Sequence, residues 1–260
     1  MDHPTRPRIL LTNDDGLRAE GIAAMYRKLA EFGDVEVVAP ETVQSATGHG
    51  VTLHYPLLTK RERLAGLEVV GTTVDGRPAD CVKLAISQLT PEVDLVVSGI
   101  NMGANVGVDV FYSGTVAAAV EGAFLGKAAI AVSHHLTERV KTSYDWAATL
   151  AMRVIAQLWQ HGQPRPGQVI NVNIPALADG EEPAGVKVVS QCVRPWSDKY
   201  ERRLDPDGRP YYWNMAKFTL ARSEGENDVV ALRERYITVT PLHFDLTARE
   251  RLDNLWRALA

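Results

Sequence analysis

Apolar and polar positions follow a regular order from residue 8 to residue 174. Residues 8–11 form a short apolar run typical of a buried strand. The next apolar positions have helical spacing: Ile22, Met25, Tyr26, Leu29 and Phe32. Further strands are predicted at residues 35–39, 52–58, 67–74, 94–97, 129–133 and 169–174, with helices near residues 82–89, 116–126 and 144–159. This alternation predicts an α/β fold, a Rossmann-like three-layer domain whose parallel sheet has helices on both faces.

The pattern changes after residue 185. Strand-like pieces at 186–191, 211–218 and 235–242 are separated by charged loops, and the sequence DPDG at 205–208 indicates a turn. A terminal helix is predicted from about Thr247. We therefore expect a catalytic domain over residues 1–184, followed over residues 185–260 by a β-hairpin arm used in oligomerisation and by the terminal helix. Gly33 is expected to end the first helix in the left-handed conformation.

Composition restricts the class of protein. The 260 residues are 45% hydrophobic, and 28 Lys and Arg against 32 Asp and Glu give a net charge of -4. This mild charge disfavours a dedicated binder of duplex nucleic acid. The two cysteines, Cys81 and Cys192, form neither a disulfide framework nor a CxxC metal site. With no apolar signal region and no apolar run long enough to cross a bilayer, a cytoplasmic location is expected, away from membranes.

Three loops after predicted strands carry candidate chemistry, because ligands bind at the carboxyl ends of parallel strands. The first contains Asp14 and Asp15 within the sequence TNDDG. Their carboxylates suit a hard divalent cation such as Mg²⁺ or Mn²⁺. A plain turn in which Asp caps the following helix explains the same residues.

The second loop alternates Asn and Gly from Ser98 to Gly107. Asn101 offers a neutral oxygen to a metal, and Asn105 can donate a hydrogen bond to an oxyanion. The glycines allow a ligand to approach the backbone. The alternative is a glycine-rich surface loop.

The third loop is Ser113-Gly114-Thr115, which opens a helix of small residues. Free backbone N–H groups at a helix start, with two hydroxyls beside them, suit a phosphate group. Simple capping by Ser113 is the alternative. Taken together, the three loops indicate a phosphoryl-transfer centre.

Other candidates are weaker. His134 and His135 can bind metal, although a solvated strand edge is the favoured interpretation. His243, close to Asp245, can orient a water or pack the terminal helix, and packing is favoured. The aromatic side chains of the arm can stack on bases or form a subunit interface: Trp196, Tyr200, Tyr211, Tyr212 and Trp213.

Three motifs in this order resemble the SurE survival-protein family: LTNDDG, SGIN followed by GAN, and YSGTVAAAVEG. The resemblance covers at least residues 8–133, and the sequences VINVNIP and ITVTPL extend it loosely. It implies a metal-dependent phosphatase for nucleoside 5′- and 3′-monophosphates, in some members also for short polyphosphate, that forms dimers or tetramers with an exchanged C-terminal arm. By motif, it implies metal ligands at Asp14, Asp15, Ser45 and Asn101. It also implies phosphate contacts from Asn105, Ser113, Gly114 and Thr115.

The resulting hypothesis is a cytoplasmic 5′-nucleotidase, a homodimer or homotetramer with one Mn²⁺, Mg²⁺ or Co²⁺ ion per subunit. The residues expected to be catalytic are Asp14, Asp15, Asn105 and Ser113, and residues 190–235 are expected at the subunit interface. Both water and an Asp carboxylate remain candidate nucleophiles.

Three alternative functions compete with this hypothesis. A dehydrogenase needs a GxGxxG turn where this chain has TNDDG. A receiver-type signalling domain needs an acceptor Asp where this chain has Ser98-Gly99. A metal-dependent nucleotide sensor uses the same pocket without turnover, so phosphate release is the measurement that separates it from an enzyme.

Overall fold

The computed structural model describes residues 6–194, 199–215 and 224–260. Its strands are β1 Arg8–Thr12, β2 Asp34–Pro40, β3 Thr59–Arg63, β4 Val70–Val74, β5 Leu95–Met102, β6 Ala128–His134, β7 Val169–Ile174, β8 Val186–Val188, β9 Tyr200–Leu204, β10 Pro210–Asn214 and β11 Ile237–Leu242. Its α-helices are α1 Glu20–Phe32, α2 Pro78–Leu84, α3 Gly114–Phe124, α4 Tyr144–Gln160, α5 Asp228–Arg233 and α6 Leu252–Leu259. Short helical turns of other types cover Ala85–Leu89, Gly107–Phe111 and Arg249–Arg251.

Within the described residues, nine strands form one sheet in the order β3-β4-β2-β1-β5-β6-β7-β11-β8. Strands β4, β2, β1, β5, β6 and β7 are parallel to their neighbours in this series. Strand β3 is antiparallel to β4, and β11 is antiparallel to β7. The predicted α/β class is confirmed, and the sheet is mixed with a parallel centre.

Helices cover both faces of this sheet. Leu10 and Leu11 are both fully buried and belong to different core clusters, because successive side chains of a strand point to opposite faces. Leu11 packs in the cluster of α1 and α4, and Leu10 packs in the cluster of α2 and α3. The central strands are continuous apolar runs because helices bury both faces of the sheet.

Helix α3 lies close to the sheet because its residues are small. A Cβ atom added to Gly122 would lie 2.8 Å from a Val96 methyl group. Ala118 and Ala119 are fully buried on the same helix. This close packing brings the N-terminus of α3 to the carboxyl edge of β1 and β5.

The last part of the chain contributes to two structures. Strands β8 and β11 join the main sheet, whereas β9 and β10 form a separate antiparallel hairpin around the predicted turn at 205–208. The division of the chain at residue 184 stays a prediction. Trp196 and positions 216–218 of the predicted strand lie outside the described residues.

Several local predictions are wrong. Gly33 has an extended backbone, with φ of -152°, instead of the left-handed one. A Cβ at Gly33 would lie 2.4 Å from the carbonyl oxygen of Pro7, so close packing explains this glycine. Residues 52–58 form a loop and not a strand, and at its start the backbone N–H and hydroxyl of Thr52 donate to the Asp80 carboxylate.

Two further differences concern β5 and α5. Strand β5 continues beyond the predicted residues 94–97 to Met102, with an irregular register between Ser98 and Asn101. Helix α5 was not predicted from the sequence at all. Across the described ranges, no helix has the length and apolar character needed to span a membrane.

Candidate active site

The acidic turn after β1 lies against the N-terminus of α3. The side chain of Asp14 is almost completely buried, and the hydroxyl of Thr115 donates a hydrogen bond to its Oδ1 atom. A Cβ at Gly114 would lie 2.8 Å from the Asp14 Cβ, so only glycine allows the helix to start this close. Burial, and then the charge of Asp15, raise the pKa of Asp14 to about 6.

Asp15 connects the same turn to β5. Its Oδ2 atom accepts a hydrogen bond from the backbone N–H of Met102 at 3.1 Å. Burial raises the pKa of this half-buried carboxyl above its usual range. Two neighbouring carboxylates that are both costly to ionise need a compensating positive charge.

Asn101, at the end of β5, has its amide oriented by the protein. Its Nδ2 donates to the carbonyl oxygen of Gly103 at 2.8 Å. The Oδ1 atom is therefore the atom left for a cation. Within the described ranges, no group of three or more His, Cys, Asp or Glu residues could hold a metal, so an ion here needs this amide oxygen and a hydroxyl beside the two carboxylates. Such an all-oxygen set suits Mg²⁺ or Mn²⁺.

Ser45 is carried by the exposed loop after β2, and several hydrogen bonds hold that loop at the site. The N–H of Gln44 donates to the carbonyl of Asp14 at 2.8 Å, and the N–H of Gly48 donates to the carbonyl of Tyr112 at 3.0 Å. His49 Nε2 lies 2.7 Å from a carboxylate oxygen of Glu121 on α3. The loop is thus tied to both the acidic turn and helix α3.

A cavity of about 400 Å³ is lined by five of the predicted residues: Asp14, Ser45, Asn101, Asn105 and Ser113. Asp15, Gly114 and Thr115 do not line it. Both the hydroxyl and the backbone N–H of Thr115 are directed at the Asp14 carboxylate. Ser113 caps α3, since its Oγ accepts from the N–H of Val116 at 3.1 Å, and its hydroxyl hydrogen remains available to an anion.

The histidines lie in different environments. His134 is fully buried at the end of β6, its ring 6.0 Å from that of Tyr144, and burial lowers its pKa to about 4. The interpretation as a solvated edge is therefore wrong for His134. His135 lines the cavity, and burial lowers its pKa. His243 accepts a hydrogen bond from the N–H of Asp245 and stacks beside Phe244 in a second cavity.

Three buried polar residues around the second loop were not predicted from the sequence. Asp228 is fully buried and accepts hydrogen bonds from the N–H groups of Gly107 and Cys192, each at 2.8 Å. Asn171 and Asn173, also fully buried, contact Asn105. The sequence does contain one signal for the two asparagines, which alternate with apolar residues in VINVNI. Polar side chains in a buried strand need hydrogen-bond partners.

A family model described as Survival protein SurE matches residues 9–198, a range that holds the five predicted residues that line the cavity. The chain belongs to the SurE family. Two curated relatives in the SurE family carry the name 5′-nucleotidase SurE. The one from Rhodopirellula baltica is 44% identical over 250 residues, covering 95% of this chain and 97% of the relative. The one from Syntrophobacter fumaroxidans is 45% identical over 249 residues, covering 95% and 98%.

The match to a SurE structure also extends over nearly the whole chain. The crystal structure of the SurE protein from Aquifex aeolicus matches with a TM-score of 0.83 at 36% identity, covering 98% of this chain and 100% of that one. The predicted resemblance to the SurE family is therefore confirmed. It extends well beyond the three motifs on which it was based.

Proposed function

We propose that this chain is a divalent-metal-dependent 5′-nucleotidase that hydrolyses nucleoside 5′-monophosphates to nucleoside and phosphate. Nucleoside 3′-monophosphates and short polyphosphate are further proposed substrates. The observation that carries the proposal is the buried Asp14 carboxylate, packed against the N-terminus of α3 in a cavity shared with Asn101 and Asn105. The names of the curated relatives favour an enzyme over a nucleotide sensor.

The proposed metal ligands are Asp14, Asp15, Ser45 and Asn101, which would hold one Mn²⁺, Mg²⁺ or Co²⁺ ion per subunit. When bound, the ion would supply Lewis-acid stabilisation of charge on the phosphoryl group. Thr115 holds the Asp14 carboxylate in one orientation through its hydroxyl. The hydrogen bond from Met102 does the same for Asp15.

The phosphate is proposed to bind between the second and third loops. Asn105 Nδ2 has one N–H bonded to Ser133 Oγ at 2.8 Å, which leaves its second N–H for a phosphate oxygen. The backbone N–H groups of Gly114 and Thr115 belong to the first turn of α3 and have no acceptor within the helix. The N–H of Thr115 also bonds to the Asp14 carboxylate. These donors, with the Ser113 hydroxyl, stabilise negative charge that develops during transfer.

Phosphate release is the measurement that tests this function. The purified chain is incubated with nucleoside 5′- and 3′-monophosphates and polyphosphate, in Mn²⁺, Mg²⁺, Co²⁺ or EDTA. We expect release that disappears in EDTA and falls at least about a hundredfold in Asp14→Asn, which keeps an oxygen for the Thr115 hydroxyl but loses the charge. Asp34→Asn, which changes an exposed acid at the amino end of β2, is the matched control and should keep activity.

Two results would contradict the proposal. Release that is unchanged in EDTA would remove the metal from the mechanism. Nucleotide binding without release in any metal would instead favour the sensor.

A further inference from the structure

Asn105 lies in a segment without regular secondary structure. Residues 104–106, between β5 and the turn at Gly107–Phe111, belong to no strand or helix. Nevertheless Asn105 is buried, with only 7% of its surface exposed. Its backbone N–H and C=O therefore need partners from elsewhere in the protein.

These partners are two asparagines of β7. Asn173 Oδ1 accepts from the N–H of Asn105 at 2.8 Å, and Asn173 Nδ2 donates to the Asn105 carbonyl at 3.1 Å. Asn171 Nδ2 donates to the same carbonyl at 2.8 Å. Three hydrogen bonds thus hold the main chain of one residue, from a strand 66 to 68 positions away.

The arrangement depends on the alternation of β7. Asn171 and Asn173 are two residues apart, so both side chains point to the same face of the sheet. Ser133 lies opposite Asn173 on β6 and accepts from the Asn105 side chain. Main chain and side chain of Asn105 are therefore both fixed to one rigid surface formed by β6 and β7.

The same buried layer contains polar groups without this role. Thr238 and Thr240 of β11 lie opposite Asn173 and Asn171, and their hydroxyls have no partner among the described residues. Burial in this layer therefore does not by itself give a polar side chain a hydrogen bond to its neighbour on the adjacent strand. The bonds of the asparagines go specifically to Asn105.

We propose that Asn173, assisted by Asn171, is a positioning residue that fixes Asn105 so that its free amide N–H points at the phosphate of the substrate. The proposal rests on the proposed function and adds the residues that set the phosphate site. Neither asparagine touches the phosphate itself. Preorganised donors stabilise an anion without the cost of reorganisation, which is why fixing Asn105 matters.

The test measures binding of inorganic phosphate to the Mn²⁺-loaded full chain by isothermal titration calorimetry, together with kcat and KM. We expect Asn173→Ala to weaken phosphate binding about tenfold, as the loss of two hydrogen bonds to Asn105 implies. Asn171→Ala, which removes one of two donors to the same carbonyl, should weaken it about threefold. Thr240→Val is the matched control in the same layer and should bind phosphate like the parent chain.

A double-mutant cycle separates positioning from a merely structural role. If Asn173 acts through Asn105, adding Asn173→Ala to Asn105→Ala causes little further loss of phosphate affinity. Losses that multiply, or an Asn173→Ala chain that binds phosphate within twofold of the parent, would overturn the proposal. If Asn173→Ala does not fold, Asn173→Ser, which keeps one polar contact, should give an intermediate loss, and parent-like binding by that variant would overturn the proposal too.

The two proposals fail in different ways. If the phosphate affinities of the parent chain and its variants follow the expected order but the parent releases no phosphate from nucleotides, the nucleotidase is contradicted and the positioning role is supported. If the parent chain hydrolyses nucleotides and Asn173→Ala binds phosphate as tightly as the parent, only the positioning role is contradicted.

Discussion

At Asp14, burial and the neighbouring Asp15 raise the pKa of the carboxyl to about 6, above its ordinary value of 3.8. In the metal-free chain, the unfolded state loses this proton near pH 4 while the folded state keeps it. The native state then binds more protons than the unfolded state between these values. Stability must therefore fall as the pH rises through that interval.

We predict that the free energy of unfolding in EDTA decreases between about pH 4 and pH 6 because of this one carboxyl. Asp14→Asn cannot ionise, so its curve should lack that part of the decrease. Urea denaturation at several pH values, with both chains in the same buffers, measures the difference. Parallel curves for the two chains would show that Asp14 ionises normally.

Thr115 tests how far the Asp14 orientation depends on one hydroxyl. Thr115→Val keeps the shape of the side chain but removes the donor to Asp14. We expect Mn²⁺ affinity and kcat/KM to fall by about tenfold or more, the usual result of removing a partner of a metal ligand. Thr115→Ser keeps the hydroxyl and is the matched control. Equal behaviour of the two variants in calorimetry would mean that the hydroxyl has no effect on metal binding.

Among the elements, the loop after β2 depends on α3 for its position. His49 stacks on Phe124, with ring centroids 5.2 Å apart, and contacts Glu121, whose side chain is almost fully buried. Burial alone would raise the pKa of Glu121, but the hydrogen bonds from His49 and Lys83 lower it below its usual range. The loop that carries Ser45 is thus attached to a carboxylate on helix α3.

We predict that His49→Ala loosens this loop. Hydrogen exchange should become faster over residues 43–50, and Mn²⁺ affinity should fall about threefold, because the loss of one charge-assisted hydrogen bond leaves the other contacts of the loop in place. Lys83→Ala is the control, since it leaves the contact between His49 and Glu121 intact. Unchanged exchange in His49→Ala would show that the backbone bonds of the loop suffice.

For the whole molecule, the hairpin of β9 and β10 is the candidate interface. Several of its aromatic side chains are exposed, including Tyr200, Tyr212 and Trp213. The hairpin shares no ladder with the main sheet of the described chain. Exposed aromatic side chains are typical of subunit interfaces.

We predict a homodimer or homotetramer whose mass falls when residues 200–214 are replaced by a short Gly-Ser linker. Light scattering after size exclusion measures the mass, and circular dichroism verifies that the main sheet is retained. An unchanged oligomer mass in the shortened chain would place the interface elsewhere. The division at residue 184 and the cytoplasmic location stay predictions.

The sequence by itself determined the central architecture and four of the polar residues that line the cavity. Strand, polar loop and helix follow one another locally, and the carboxyl ends of parallel strands meet at one edge of the sheet. Asp14, Asn101, Asn105 and Ser113 could therefore be placed together from their positions after predicted elements. The expectation that Ser45 binds a metal rests on the family resemblance and not on the local pattern.

Only the tertiary structure decided the contacts between distant segments. Periodicity shows which residues of β7 share a face, but not that this face meets the Asn105 loop. It likewise gives no direction for β11, no reason for the extended backbone at Gly33 and no sign that His134 is buried. These features depend on which segments pack against each other, and packing between segments far apart in the chain is not recorded in local sequence patterns.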